Sequence, residues 1–279
     1  MSARDAPDPA DLVRSAKWVT DDLPASPTAE PEWVLIEEGS ALTREHELES
    51  LFAIGNGYVG SRGSLAEGSP LSAPATFLAG LFESEPGSVP GLAPLPDWTH
   101  LSATVERQRL RIDEGTNLEH RRILDLRQGI LWREWRSQDA AGRITRVRGL
   151  RLASLADRHL LIQSITFSPE NYTGTVSVDA ALKGPLIEFT VAGTTVAIAV
   201  AHRIGDPEGY RIGSTERDAV AVALNVELGK TYRLDRLVAI HTSRDTEQPV
   251  EAARDHVKRA REMDVATLVA LLLMAAPQL

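Results

Sequence analysis

The chain contains no cysteine among its 279 residues. Disulfides and thiolate metal sites are therefore excluded, and a reducing compartment suits the composition. Aromatic residues are scarce at 5%, thin for a dedicated sugar-stacking surface. Basic charge is in deficit as well: 30 Lys and Arg face 39 Asp and Glu, a net charge of −9. A surface that tracks phosphates needs a basic field, so no nucleic-acid partner is expected. Long apolar runs are missing too. The most apolar window, "LVALLLMAA" (268–276), falls far short of the roughly 20 residues that span a bilayer. The opening segment 1–32 is rich in Pro, Asp and Ala and lacks the apolar stretch of a secretory signal. These absences read as a soluble, cytoplasmic chain without a membrane partner.

What is present is alternation. Val176, Val178, Ala180 and Leu182 share one face of "TVSVDAAL". Val196, Ile198 and Val200 do the same in "TTVAIAVA", and Val220, Val222, Leu224, Val226 and Leu228 alternate without a break. Successive strand side chains point to opposite faces, so each segment is expected to have one buried face and one smaller or wetter face. Further strands are expected at 101–112, 118–129, 130–137 and 158–168. Turn chemistry punctuates them at 139–142, 168–174, 191–195 and 205–209. About ten to fourteen short strands at this spacing predict an all-β fold, a large two-sheet antiparallel sandwich. The division is an irregular lead-in over 1–32, the sandwich over 33–245 and a helical tail over 246–279. In the tail, Val250, Ala253, Val257, Ala260 and Met263 recur at helical spacing. Asp264 is placed to cap a second, largely apolar helix, which reads as half of an interface.

Several residues invite a chemical reading. The loop "LFAIGNGYVGSRGS" (51–64) carries Gly55, Asn56, Gly57, Gly60 and Gly63. It lacks the lysine of a phosphate-binding loop and the following helix of a dinucleotide fingerprint. The five residues are expected to form a structural corner, with positive φ at 55–57. Sugars present C–H faces to aromatic rings and hydroxyls to polar side chains. The best local cluster for that is "PDWTH", with Asp97, Trp98 and His100, to which Arg62 is added from the glycine loop. Trp132 and Trp135 lie on opposite faces of their strand, so one is expected in the core and the other exposed or at an interface. Arg121, Arg122, Asp125 and Arg127 read as a charged strand edge that discourages association. The histidines (46, 100, 120, 159, 202, 241 and 256) are scattered without ligand spacing, so neither a metal nor a cofactor is expected. Acidic residues such as Glu83, Glu106, Asp113 and Glu134 read as solvated or salt-bridged surface.

Five ordered stretches carry a resemblance: "ESLFAIGNGYVGSRGSLAEG" (49–68), "TFLAGLFE" (76–83), "LPDWTHL" (95–101), "RRILDLRQGILWREWR" (121–136) and "RLASLADRHLLIQSITFSPENYTG" (151–174). Together they resemble glycoside hydrolase family 65, the family of maltose, trehalose and kojibiose phosphorylases. The resemblance implies an N-terminal β-super-sandwich, followed in the family by helical linkers and an (α/α)6 barrel. There the general acid protonates the leaving oxygen while phosphate attacks from the opposite face. That machinery belongs to the barrel, so no catalytic residue is carried over to this chain. The expectation is a sandwich domain without the barrel, acting as scaffold, as interface and as one wall of an α-glucoside disaccharide site. The alternatives are a stand-alone carbohydrate-binding module and a partner in trans for a separately encoded barrel, or for a second copy through the apolar tail.

Overall fold

The computed structural model describes residue 23 and residues 25–83, 87, 89–180, 182, 184–206, 209–211, 221–263 and 267–270. Its centre is a nine-stranded antiparallel sheet. The strands run, side by side, β1 (Val34–Glu38), β8 (Thr116–Asp125), β9 (Ile130–Gln138), β10 (Ile144–Ala153), β11 (Leu160–Pro169), β17 (Tyr232–Thr242), β14 (Thr194–Asp206) and β13 (Leu186–Val191). The ninth, β15 (Gly209–Arg211), pairs with β14. A four-stranded sheet joins β16 (Ala221–Val226), β12 (Gly174–Asp179), β6 (Ser102–Val105) and β7 (Gln108–Arg109). A second holds β2 (Ile54–Gly55), β3 (Val59–Ser61), β4 (Thr76–Glu83) and β5 (Gly91–Leu95).

Both small sheets lie against the same face of the large one. Leu78, Leu81, Ala93 and Leu95 pack with Leu124, Leu131, Leu161, Val238 and Ile240 in one apolar cluster. Ala103, Val105, Val176, Val178 and Val226 pack with Trp135, Ile165, Phe167 and Leu234 in another. The sandwich is thus antiparallel and β throughout, but its second layer is split in two. The opposite face of the large sheet is covered by helix α2 (Pro249–Glu262), with Leu23 and residues 268–269.

Helix α2 forms where the period changes. Pro249 supplies the fixed φ that suits a first turn. Ala253, Val257 and Ala260 are buried against Trp132, Ala197, Ala199, Leu237 and Ala239, while Arg254, Asp255, Lys258 and Arg259 face solvent. Burying a side chain the size of Val257 or Leu237 contributes about 1.5–3 kcal/mol each. Residues 267–270 are again helical, and Leu268 and Val269 are buried in the same cluster. Asp264 and most of the expected second helix lie outside the described residues, as do residues 1–22.

Three expectations need correction. Trp135 is not exposed: Trp132 and Trp135 are both at most 2% exposed. The large sheet is covered on both faces, so each indole finds its own core. For the same reason Ala197 and Ala199 are as buried as Val196 and Ile198. The expected strand at 101–112 is in fact a hairpin, because Glu106 and Arg107 take φ of 45° and 77° between β6 and β7. Leu228 lies beyond β16 and is 58% exposed, which ends that alternation early. The 191–195 turn joins β13 to β14 through Ala192 and Gly193, both at positive φ.

Candidate functional site

The glycine-rich segment begins after helix α1 (Glu45–Leu51). Strands β2 and β3 are joined by a reversal at residues 56–58. Of the five loop residues singled out, only Gly57 has positive φ, at 83°. Asn56 organises the corner. Its Oδ1 accepts from the Tyr58 and Val59 amides at 3.0 and 2.9 Å, and its Nδ2 donates to the Ser154 and Arg158 carbonyls at 2.6 and 3.0 Å. Gly63 is needed for space rather than conformation: a Cβ there would sit 2.7 Å from the Phe52 Cβ and against the Phe52 carbonyl.

The four sugar-site candidates occupy one region but differ in exposure. Trp98 is 1% exposed, and its indole N–H donates to Ser61 Oγ at 3.2 Å. It therefore offers no ring face to solvent in this structure and serves to pack β5 against the large sheet. Asp97 accepts from the Thr99 amide and hydroxyl at 2.9 and 2.7 Å. Arg62 donates to the His46 carbonyl at 2.6 Å and lies 3.3 Å from the Glu49 carboxylate. His100 is exposed.

Behind these residues runs a buried polar row that sequence reasoning missed. Cross-strand register places Arg122 opposite Arg133, Arg151 opposite Gln163, Gln163 opposite Arg236, and Arg236 opposite His202. All face the small sheets, between the two apolar clusters. Arg122 makes a two-pronged ion pair with Glu45 of α1. Arg133 does the same with Glu67 at 2.6 and 2.7 Å. Gln163 donates to the Thr99 carbonyl, and Arg236 donates to the carbonyls of Trp98 and Ala180. The row thus pins α1, the glycine loop and the 97–99 segment onto the large sheet. The reading of Arg121, Arg122, Asp125 and Arg127 as a charged edge is corrected accordingly. β8 lies between β1 and β9, and Arg122 and Asp125 are 3% and 0% exposed.

The electrostatics follow from burial. Arg133 Nε donates to His120 Nε2 and Arg236 Nε to His202 Nε2, each at 3.1 Å, so both rings act as neutral acceptors. Burial, reinforced by the neighbouring guanidinium, pushes His202 down to about 3 and His120 well below the ordinary histidine value. Burial also lowers Arg151 and Arg236, each to about 10. Gly63, Ser64, Glu67, Arg122, Arg133, Arg151 and Gln163 line the polar part of a cavity of about 50 Å³.

A second cluster, on the α2 side of the corner, also escaped the sequence. Asp157 accepts from His256 Nε2 at 2.7 Å, and His256 Nδ1 is 3.0 Å from His241 Nε2. His241 stacks on His159 with ring centroids 4.1 Å apart. Tyr58 lies edge-on to His159 and donates to Asp245 at 2.5 Å. The histidines are far apart in the chain, and only strand register and helix docking assemble them. Burial, then the neighbouring rings, pushes His241 down to about 4. Burial raises Asp157, but the hydrogen bond and charge of His256, with the His159 amide and ring, together outweigh it and hold the carboxyl below its usual value. His256 uses both of its ring nitrogens within the cluster, and no group of metal-ligating side chains occurs among the described residues.

With this geometry in view, comparison with known proteins is decisive. The model of the glycosyl hydrolase family 65 N-terminal domain matches residues 35–188 and 186–271. The chain belongs to glycosyl hydrolase family 65. Among family 65 relatives, kojibiose phosphorylase from Caldanaerobacter subterraneus is 32% identical over 155 residues, which is 56% of this chain and 20% of that protein. The α,α-trehalose phosphorylase of Thermoanaerobacter brockii is 24% identical over 287 residues, covering 82% of this chain and 37% of that one. A solved structure of a kojibiose phosphorylase-like protein from the human microbiome superposes with a TM-score of 0.70. It covers 87% of this chain and 37% of that one at 17% identity, which shows the shared sandwich fold. The chain thus spans about a fifth of the kojibiose phosphorylases it matches. No helix among the described residues is long and apolar enough to cross a membrane.

Proposed function

We infer that this chain is the non-catalytic sandwich part of a family 65-like α-glucoside phosphorylase or hydrolase. It provides a scaffold, an interface and one wall of a disaccharide site. The observation that carries this reading is how the buried carboxylates are used. Glu45 is held by Arg122, Glu67 by Arg133, and Glu134 by Arg146 and Arg148. Glu49 is held by Arg62 and by Ser72 and the Ala73 amide. Asp125 accepts from the Thr28 and Gln128 amides, and Asp235 from Ser164 and Arg233. Glycoside cleavage needs a carboxyl group free to give or take a proton at the scissile bond. Each of these is already committed to a structural partner. Exposed His100, half-buried Arg62 and Asp97 are the residues this reading places nearest a sugar.

The test is to mix the purified chain with a separately produced family 65 (α/α)6 barrel and assay phosphorolysis of kojibiose, trehalose and maltose. Activity is expected from the mixture and none from the chain alone. Turnover by the chain alone, abolished by changing one acidic side chain, would sink the reading. The alternative of a self-sufficient binding module predicts saturable binding of one of these disaccharides to the chain by itself. Absence of binding into the tens of millimolar removes that alternative.

A further inference from the structure

Arg151 is the exception in the polar row. Arg151 is 7% exposed, yet its buried Nη1 has no hydrogen-bond partner, and no carboxylate lies within ion-pair distance of it among the described residues. Asp97 attracts it at longer range, but Asp97 also attracts Arg236 and is bonded to Thr99. Two more donors nearby lack partners: Ser64 Oγ, on a residue 2% exposed, and Arg122 Nε. All three groups line the same cavity. These three donors are unmatched, while the cavity's carboxylate, Glu67, is already paired with Arg133.

The cavity has a direction, set by strand register. The Arg151–Gln163 row is its polar end. Two residues along the strands comes Gly149 paired with Ile165, then Val147 paired with Phe167. Leu101, Leu110 and Trp135 complete this apolar end. Gly149 has no side chain to fill the hollow. A buried guanidinium without a direct ion-pair partner is costly, and water satisfies its donors without neutralising it. An anion does both. Surplus positive charge at one end and hydrocarbon walls at the other favour a group with one charge and a short apolar tail over a dianion, whose desolvation costs more.

We propose that the cavity between the large sheet and residues 63–67 binds a small aliphatic monocarboxylate, its oxygens on Arg151, Ser64 and Arg122 and its carbon chain against Ile165, Phe167 and Trp135. This goes beyond the sandwich role and does not depend on it.

Thermal melts of the full chain in sodium acetate, chloride and sulfate at matched ionic strength test the site, with 13C-acetate line broadening as a direct readout of binding. A saturable rise in Tm with acetate, larger than with chloride or sulfate and lost in Arg151→Met, is the expected result. Equal shifts with all three salts, or an acetate shift that persists in Arg151→Met, would overturn it. Should Arg151→Met fail to fold, Ser64→Ala decides. Losing one donor hydroxyl is expected to weaken acetate binding by about five- to tenfold, and an unchanged affinity counts against the site.

Discussion

At the scale of single residues, the glycine corner depends on two positions for different reasons. Gly63 faces the Phe52 backbone so closely that even a methyl group has no room. Gly63→Ala is therefore expected to cost about 1–3 kcal/mol through overpacking, read as a lower denaturant midpoint with an unchanged slope. Asn56 replaces four backbone partners that would otherwise be unpaired at the corner. Asn56→Ala is expected to cost about 2 kcal/mol, whereas Gly60→Ala, where the nearest atom lies 4.0 Å away, should be tolerated far better. Equal losses at Gly60 and Gly63 would contradict the spatial account. The loop was legible as a corner from its composition. The separate demands were not, because close approach by Phe52 is a tertiary fact and leaves no mark on spacing.

At the scale of elements, α2 is clamped to the large sheet by the Asp157–His256–His241 chain as well as by its alanine face. His241 is held neutral, with a folded value of about 4 against 6.5 for a free histidine. Between those values the unfolded chain binds more protons than the folded one, so stability falls as pH drops through that window. His202, at about 3, acts in the same direction. Asp157 and Asp245, both depressed, keep their contribution until the pH falls below the ordinary carboxylate range. Tm is thus expected to decline from pH 7 towards pH 4.5, and His241→Phe should flatten that decline. An identical slope in the variant would show that the cluster does not couple protonation to helix docking. Alternation made Val176 and Val178, and Val196, Ile198 and Val200, readable as inward-facing. It did not show that β14 is buried on its other face too, because small Ala197 and Ala199 look like a wet face until a helix lies on them. Arginine in a strand likewise reads as surface, and only pairing with Glu45 and Glu67 makes burial of Arg122 and Arg133 affordable.

At the scale of the whole molecule, the family 65 sandwich divides its interior. One apolar cluster lies under the sheet β2–β5, another under the sheet formed by β6, β7, β12 and β16, and the polar row runs between them. Each side has its own packed core, so local opening should occur in two units rather than one. Native-state hydrogen exchange is expected to give distinct opening free energies for Val59, Leu78 and Leu81 amides on one side and Val105, Val176 and Val178 on the other. Leu95→Ala should lower the first set and leave the second unchanged; a uniform drop across both would refute the division. Sequence alone had merged the two small sheets into one layer, since pairing between strands as distant as β6 and β12 is set by tertiary packing and not by turn signals.

The arginine row also has a mechanical meaning. Layers that meet through hydrocarbon alone slide by small rotamer changes. Layers keyed together by directional bonds resist shear until those bonds fail, and Arg236 alone ties β17 to two loop carbonyls. The sandwich is therefore expected to resist shear between its layers and then yield abruptly. A body seated on either small sheet would rest on a footing that transmits force instead of absorbing it.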